Sequence, residues 1–425
     1  MKPLELMAEV ERLGTRPLWP SFDPLSTPVA LYDGERTYLF GHPSPPPEFA
    51  GPAAPGEPAT HAGRHPAIVA NTNITLAGVG TATFMLDSAA GLSPSQAAAV
   101  VIHEMFHVFQ RAKHLGWSAN EIDLLTYPFE NVGLLQLRRL ETEALRRALS
   151  AERLDDAAGW AATALAMRRE RYAVMDPAHV AYERRTELNE GLATYVERLA
   201  WPDVARPALP EADWAPDAVR PRCYSTGLAL ALLLDRFSDD WKGRLESGAA
   251  ASIDELLAAT LTAAPHAFTS EETEAARQRA AADCQALLAK RSRELKVFES
   301  MDGWSVVVLA DQSAPLQLRG FDPMNLTLVG PRALLHGRYL RLGTAAGWIE
   351  VFGRRSLTEG QGNHPVTGGF KRLTVTGLPS RPEVSGAGGS LLLSADGLKG
   401  EVSGHFEWGE RSLLVVLDRS IRGQG

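Results

Sequence analysis

The sequence predicts an α+β protein that ends in an all-β region. From about residue 93 to residue 295, apolar residues recur three or four positions apart with charged residues between them, which is typical of amphipathic helices. After about Met301 the chain consists of short Val- and Leu-rich runs separated by glycine, which is typical of a β-sandwich or barrel-like domain. Shorter β-type runs precede residue 87. We therefore expect a small β-sheet with a helical lobe, followed by a separate β domain.

The first β elements are expected in two places. Residues 28–40 contain two apolar runs joined at Asp33-Gly34, a dipeptide that tolerates the positive φ of a tight hairpin turn. Residues 67–86 alternate and are rich in Thr, Val and Ile, so they predict two more strands. Between them, residues 43–58 are rich in Pro, Gly and Ala and predict an exposed connector or lid.

Ser93 marks the start of the helical region. It can act as an N-cap, with Pro94 at the first helical position and Gln96 completing a capping box. The amphipathic pattern of residues 134–175 predicts a helical hairpin. The chain of 425 residues is long enough for several domains. We expect an N-terminal β-rich segment with its connector, a central domain and a C-terminal β domain, at residues 1–66, 67–298 and 299–425.

Composition and charge exclude several classes of protein. The net charge of −8, the pI of about 5.8 and the lack of a basic block argue against a nucleic-acid or anionic-membrane partner. The two cysteines, Cys223 and Cys284, are too few for a disulfide framework or a thiolate metal cluster. The sequence shows no signal-like N-terminus and no apolar run of membrane-spanning length. We therefore expect a cytoplasmic protein, or a secreted one if a leader was removed.

The stretch VIHEMFHVFQ, residues 101–110, carries a metal-binding pattern. On a helix, His103 and His107 lie on one face, and Glu104 points to the side where a metal-bound water would lie. Two imidazoles and a carboxylate suit Zn²⁺ and leave one coordination position open. The alternative is a coincidental pair of hydrogen-bonded core histidines. The segment is otherwise apolar, and buried polar groups persist when they are paired or bound, so the pattern favours a metal.

A second helical segment, ELNEGLATYVERLA at residues 187–200, supplies a carboxylate. Together the two motifs resemble those of gluzincin metallopeptidases, particularly the aminopeptidase N branch, where an Asn-Glu-Gly-x-Ala segment follows the His-Glu-x-x-His helix. The resemblance implies that Glu190 is the third zinc ligand and that Glu197 is the later acid of the motif. In this chain 82 residues separate His107 from Glu190, many more than in that branch; loop-closure entropy grows slowly with length, so an insertion is tolerable.

Other carboxylates remain alternative ligands: Glu141, Glu143 and Glu187. The first two lie in RRLETEAL, a segment that is also typical of a solvated helix face. Either Glu187 or Glu197 could instead orient a zinc-bound histidine by accepting its second N–H.

A third point of resemblance lies in CYSTGLALALLLDRF, residues 223–237. Tyr224 and Gly227 match a Tyr-x-x-Gly helix start, and in the aminopeptidase branch that tyrosine stabilises an oxyanion. Packing just outside a buried helix is the alternative role for Tyr224. The strand motif Gly-x-Met-Glu-Asn, which holds the free amine of a substrate in that branch, is absent, because the strand here is GVGTATFML. Aminopeptidase specificity is therefore not implied.

These residues lead us to expect a zinc-dependent peptidase with a gluzincin-like catalytic domain in residues 67–298. Glu104 would act as the general base, while zinc and Tyr224 would stabilise the oxyanion. The expected partners are Zn²⁺ and a peptide or protein substrate. A different class remains open, namely a non-catalytic gluzincin-like scaffold with a structural zinc, binding a partner or a glycan. Peptide specificity, endo- or exopeptidase action and oligomeric state are left open.

Overall fold

The computed structural model describes residues 1–51, 56–202, 207–211, 213–322, 325–344, 347–362, 364–386 and 390–418. Helices and strands are both abundant, which confirms the α+β class. The chain forms two compact units. The first contains residues 1–120 and 132–280, and the second contains residues 121–131 and the chain from residue 281 onward. Residues 52–55 of the expected connector lie outside the described residues.

A five-stranded sheet belongs to the first unit. Its strands are β1 (Val29–Tyr32), β2 (Arg36–Phe40), β3 (Ala59–Ala62), β4 (Thr72–Leu76) and β5 (Val79–Met85), in the order β3-β2-β1-β5-β4. The predicted β1–β2 hairpin is confirmed, and Gly34 at its turn has a φ of 102°. The two strands expected in residues 67–86 are β4 and β5, which are antiparallel. β1 and β5 run parallel, and β4 forms one edge.

Helices make up most of the first unit: α1 (Pro3–Gly14), α2 (Pro94–Lys113), α3 (Val132–Ser150), α4 (Leu154–Ala173), α5 (Pro177–Thr186), α6 (Leu192–Ala200), α7 (Val219–Phe237), α8 (Trp241–Glu246), α9 (Ile253–Thr260) and the first part of α10 (Ser270–Glu299). The capping box at Ser93 is confirmed, and so is the helical hairpin, formed by α3 and α4. α1 was not expected, although it buries Leu6, Val10 and Leu13 at helical spacing. None of the described helices is long and apolar enough to cross a membrane.

α2 is the central helix of the first unit. It packs against α1, α6, β4 and β5, and its apolar side chains are fully buried at Val101, Ile102 and Phe106. Burial of such side chains is worth about 1.5–3 kcal/mol each, so this packing fixes the helix that carries the two histidines.

The second unit is built on β-strands, as the sequence predicts. They are β6 (Trp304–Leu309), β7 (Gln317–Phe321), β8 (Leu326–Gly330), β9 (Ala333–His336), β10 (Tyr339–Thr344), β11 (Gly347–Phe352), β12 (Ser356–Gly360), β13 (Phe370–Leu378), β14 (Glu383–Ser385), β15 (Ser390–Ala395), β16 (Leu398–Trp408) and β17 (Ser412–Leu417). Alternate residues of β6 and β17, such as Val306, Val308, Leu413 and Val415, form its core.

The two units do not follow the expected boundaries. The expected boundary at residue 66 divides a single sheet, because β1, which precedes that residue, pairs with β5, which follows it. Residues 121–131 belong with the C-terminal unit, where His364 Nε2 donates to the Ile122 carbonyl (3.2 Å) and Arg291 pairs with Glu130. These are contacts between residues far apart in the chain, so local patterns do not reveal them.

Candidate metal centre

Two histidines on α2 direct their rings to one point. Because they are four residues apart, His103 and His107 lie on the same helix face. Each residue is 8% exposed, and their Nε2 atoms are 3.1 Å apart. Two ring nitrogens are thus close enough to bind a single metal ion.

Glu190 reaches this point from another helix. α5, a π-helical turn at Glu187–Gly191 and α6 follow one another without a break. Oε2 of Glu190 lies 3.3 Å from Nε2 of His107 and 3.7 Å from Nε2 of His103. Residues three apart in an α-helix share a face, but the wider π turn rotates Glu190 away from Glu187. The expected set of His103, His107 and Glu190 is therefore brought together.

The three ligand atoms fit a zinc ion. Zinc bonds of about 2.0–2.1 Å at tetrahedral angles place neighbouring ligand atoms about 3.3 Å apart. The observed separations of 3.1, 3.3 and 3.7 Å lie around that value. Within the described part of the chain no fourth histidine, cysteine or carboxylate joins the group. Two imidazoles and one carboxylate are a donor set that catalytic zinc sites use.

The second oxygen of Glu190 is already engaged. Oε1 accepts hydrogen bonds from Nη2 of Arg220 (2.7 Å) and Nδ2 of Asn189 (3.2 Å), so Oε2 alone faces the histidines. Burial opposes ionisation, but hydrogen bonds with both histidines and the charge of Arg220 hold the pKa of the Glu190 carboxyl well below its usual range. Glu190 is therefore an ionised, single-oxygen donor.

Hydrogen bonds at Nδ1 orient both imidazoles. Nδ1 of His103 donates to Oε2 of Glu197 (3.1 Å), and Nδ1 of His107 donates to Oε1 of Gln110 (2.8 Å). Each bond leaves the Nε2 lone pair for a metal. Of the two glutamates considered for this role, Glu197 accepts the second N–H of a histidine, whereas Glu187 bonds to Arg168 and Thr226.

Charge around the histidines complements a divalent cation. Glu104, Glu190 and Glu197 all act on His103, and Arg220 is paired with Glu190. Three carboxylates and one guanidinium leave two negative charges when both imidazoles are neutral. Burial opposes protonation of His103, yet hydrogen bonds to Glu190 and Glu197 raise its pKa to about 10. The same field that attracts a proton would attract a metal ion.

Glu104 lies close enough to interact electrostatically with His103, His107 and Glu190. Within the described residues its carboxylate has no hydrogen-bond or ion-pair partner. Burial raises the pKa of the Glu104 carboxyl, against the effect of the two histidines. A raised pKa makes the carboxylate a stronger proton acceptor, which suits a general base.

Tyr224 also borders the centre. It was expected just outside or at the start of a helix, but it lies inside α7. Its ring stacks on His103 with centroids 6.5 Å apart, and its hydroxyl lies 3.4 Å from Nη2 of Arg220. Burial and the charge of Glu190 raise its pKa, so the hydroxyl stays protonated and can donate a hydrogen bond.

Two glycines bring the π turn and α7 into contact. A Cβ on Gly191 would lie 2.6 Å from the Cα of Gly227, and a Cβ on Gly227 would lie 2.8 Å from the carbonyl oxygen of Glu187. Neither position has room for a side chain, so the two backbones touch. This crossing sets Glu190 and Tyr224 on facing elements.

The alternative ligands lie in other environments. Glu141 is not on a solvated face: it is fully buried and accepts hydrogen bonds from Arg168, Arg171 and Arg222. We call the buried set of Arg168, Arg171, Arg222, Glu141, Glu183 and Glu187 the arginine–glutamate network. Glu143 is partly exposed and pairs with two neighbouring arginines. None of the three alternatives faces the histidines.

Comparison of the chain with family models, curated proteins and solved structures gives no match. Its function is therefore argued from the geometry of the centre.

A cavity of about 400 Å³ opens beside Glu197. Its lining is mainly apolar and includes Val100 of α2, Leu228 of α7, Trp201 and Trp214. It adjoins the centre, because Glu197 holds His103. It is large enough to admit an apolar side chain.

Sequence reasoning missed two residues of the centre. Gln110 follows His107 by three positions, and Arg220 precedes Tyr224 by four, so both share a helix face with a motif residue. That spacing is the signal by which they could have been found.

Proposed function

We propose that this protein is a zinc-dependent metallopeptidase of the gluzincin type. The observation that carries the proposal is the convergence of His103, His107 and Glu190, with Glu104 unpartnered beside them among the described residues. The resemblance of the two motifs to those of gluzincins supports the same assignment.

The roles of the side chains follow from their positions. When bound, zinc would act as a Lewis acid and lower the pKa of a water molecule. Glu104 takes a proton from the attacking water and delivers it to the leaving amine, a contribution of roughly 10²–10⁴-fold in rate. The hydroxyl of Tyr224 donates to the oxyanion that develops on the peptide carbonyl.

Two features support a peptide as the substrate. β4 forms an edge of the sheet and packs against α2, and an extended peptide can add to such an edge through main-chain hydrogen bonds. The cavity beside Glu197 offers a place for one apolar side chain of that peptide.

The competing proposal is a scaffold with a structural zinc. A structural site is normally closed by a fourth protein ligand and has no use for a general base. The described residues offer three ligands and retain Glu104, which favours catalysis.

The test joins metal analysis to a cleavage assay. We expect about one zinc per chain, and cleavage of a peptide library detected by mass spectrometry. Glu104→Gln should keep the zinc and lose cleavage, while Glu143→Gln, on the partly exposed face of α3, should keep both. Zinc-loaded protein that cleaves no peptide would favour the scaffold.

Tyr224→Phe separates an oxyanion donor from a packing residue. The variant keeps the ring that stacks on His103, so zinc binding should not change. Loss of one oxyanion donor should lower kcat by about 10²–10³-fold with little change in KM. Unchanged kcat would leave Tyr224 with a packing role only.

A further inference from the structure

Gln110 contacts both halves of the candidate centre. It lies in the last turns of α2 and is 2% exposed. Its Nε2 lies 2.9 Å from the carbonyl oxygen of Leu188 and 2.9 Å from that of Asn189, and its Oε1 lies 2.8 Å from Nδ1 of His107. One buried side chain thus joins the helix that carries the histidines to the turn that carries Glu190.

The two carbonyls determine how the Gln110 amide is oriented. Carbonyl oxygens only accept hydrogen bonds, so the NH₂ group must face Leu188 and Asn189. The amide oxygen then faces His107 and can only accept, so His107 must carry its proton on Nδ1. Nε2 is left with its lone pair toward Glu190 and His103, which is the tautomer a metal needs.

The π turn gives this amide a role in the backbone. An i→i+5 turn interrupts the regular i→i+4 ladder, and here the backbone N–H of Leu192 is shared between the carbonyls of Glu187 and Asn189. A carbonyl oxygen has two lone pairs, so that of Asn189 can accept a further hydrogen bond. Gln110 supplies donors to two successive carbonyls, and the second belongs to the residue just before Glu190. The backbone that positions the carboxylate is held by the same amide that positions His107.

We propose that Gln110 is a positioning residue of the metal centre, fixing the His107 tautomer and the backbone that presents Glu190. The inference rests on the proposed function, since it presumes that zinc binds at this centre. It adds a determinant of metal affinity that touches neither the metal nor the substrate.

The test compares three glutamine variants. Gln110→Met keeps the length of the side chain but loses the acceptor for His107 and the donors to the Leu188 and Asn189 carbonyls. Gln110→Glu keeps an acceptor for His107 and loses both donors. Gln136→Met is the matched control, because Nε2 of Gln136 also donates to a backbone carbonyl, that of Thr273 (3.1 Å), but on α3 away from the histidines.

Zinc affinity is measured by competition with a chromophoric chelator. Loss of groups that orient metal ligands typically weakens binding about 10–100-fold, and we expect this for Gln110→Met, with a smaller loss for Gln110→Glu. The Co²⁺-substituted Gln110 variants should also show altered d–d absorption, because ligand geometry changes. Gln136→Met should match the wild type in both measurements.

The outcomes separate the inference from the proposed function. Wild-type affinity and an unchanged Co²⁺ spectrum in the Gln110 variants would overturn the inference and leave the metal centre standing. If Gln110→Met does not fold, Gln110→Glu alone decides by the same criteria. A wild-type protein that binds neither zinc nor Co²⁺ would overturn both.

Discussion

The candidate metal centre and the arginine–glutamate network are two buried clusters of charge in the same unit, and their carboxylates have different partners. In the network, three guanidinium groups pair with three carboxylates. Arg168, for example, bonds to both Glu141 (2.8 Å) and Glu187 (2.6 Å). At the candidate metal centre, Arg220 is paired with Glu190, and the two imidazoles face the same carboxylate.

The difference shows what makes a buried glutamate available to a metal. Glu187 and Glu190 lie three residues apart in one turn, yet Glu187 is neutralised by Arg168 and hydrogen-bonded by Thr226, at 2.6 Å. Glu190 binds Arg220 through Oε1 and turns Oε2 toward the two histidines. A carboxylate that already has its full complement of guanidinium partners has no charge to offer a cation.

Breaking the network should give the largest change in stability. Arg168→Met leaves Glu141 and Glu187 partly uncompensated in the core, and loss of one partner of a buried ion pair costs about 3–5 kcal/mol. Arg220→Met, on a side chain that is 35% exposed, should cost about 1 kcal/mol or less. Urea unfolding with a chelator present measures both, and equal losses would show that the two clusters do not differ as described.

Single Glu→Gln substitutions should lower zinc affinity in the candidate metal centre and not in the arginine–glutamate network. Glu190→Gln would remove one of the three proposed metal bonds, and we expect about 10²–10³-fold weaker zinc binding from the few kcal/mol that one ligand contributes. Glu187→Gln and Glu141→Gln should lower stability while the folded protein keeps its zinc affinity. Similar zinc affinities in all three variants would mean that Glu190 is not the ligand.

Acid should weaken the network in a defined pH range. Burial opposes ionisation of Glu183, but the charge and hydrogen bonds of Arg171 lower its pKa to about 2, against about 4.3 for a free glutamate. A depressed folded-state pKa gives stability that is present above about pH 4–5 and is lost as the pH falls toward 2, up to about 3 kcal/mol.

The variant Glu183→Gln isolates the contribution of the Glu183 carboxyl group. Glu183→Gln cannot titrate, so its free energy of unfolding should fall less than that of the wild type between pH 5 and pH 2. Urea denaturation curves across this range measure the difference. Parallel pH profiles of the two proteins would contradict the assigned role of Glu183.

The smallest effect is expected at Glu143, two residues from Glu141 on the same helix. It pairs with Arg146 and Arg147 at partly exposed positions, and such pairs contribute about 0–1 kcal/mol. Glu143→Gln should therefore change thermal stability slightly and zinc affinity not at all. A loss comparable to that of Glu141→Gln would show that burial is not what separates them.

Local pattern was enough to predict part of this molecule. The capping box at Ser93 and the hairpin turn at Gly34 depend on residues close in the chain, and both are present. The His103–His107 pair also follows from helix spacing alone. The helix α1 was accessible by the same reasoning, because Leu6, Val10 and Leu13 repeat at helical intervals.

The choice among glutamates could not be made in this way. Glu141 and Arg168 lie 27 residues apart and meet through the α3–α4 hairpin, so the pattern around Glu141 gave no sign of its arginines. The π turn that rotates Glu190 away from Glu187 depends on packing against Gly227 and on Gln110, both distant in sequence. Residues 121–131 join the C-terminal unit for the same kind of reason.

The 82 residues between His107 and Glu190 give the proposed ion a second consequence. An ion held at both positions is a reversible cross-link. In the chain-entropy model, a cross-link over a loop of this length lowers the conformational entropy of the unfolded chain, which corresponds to roughly 4–5 kcal/mol of stability. Cys223 and Cys284 are buried as free thiols and supply no such link. Zinc supply would then govern the lifetime of the protein as well as its chemistry, because proteases in a cell degrade the opened chain first.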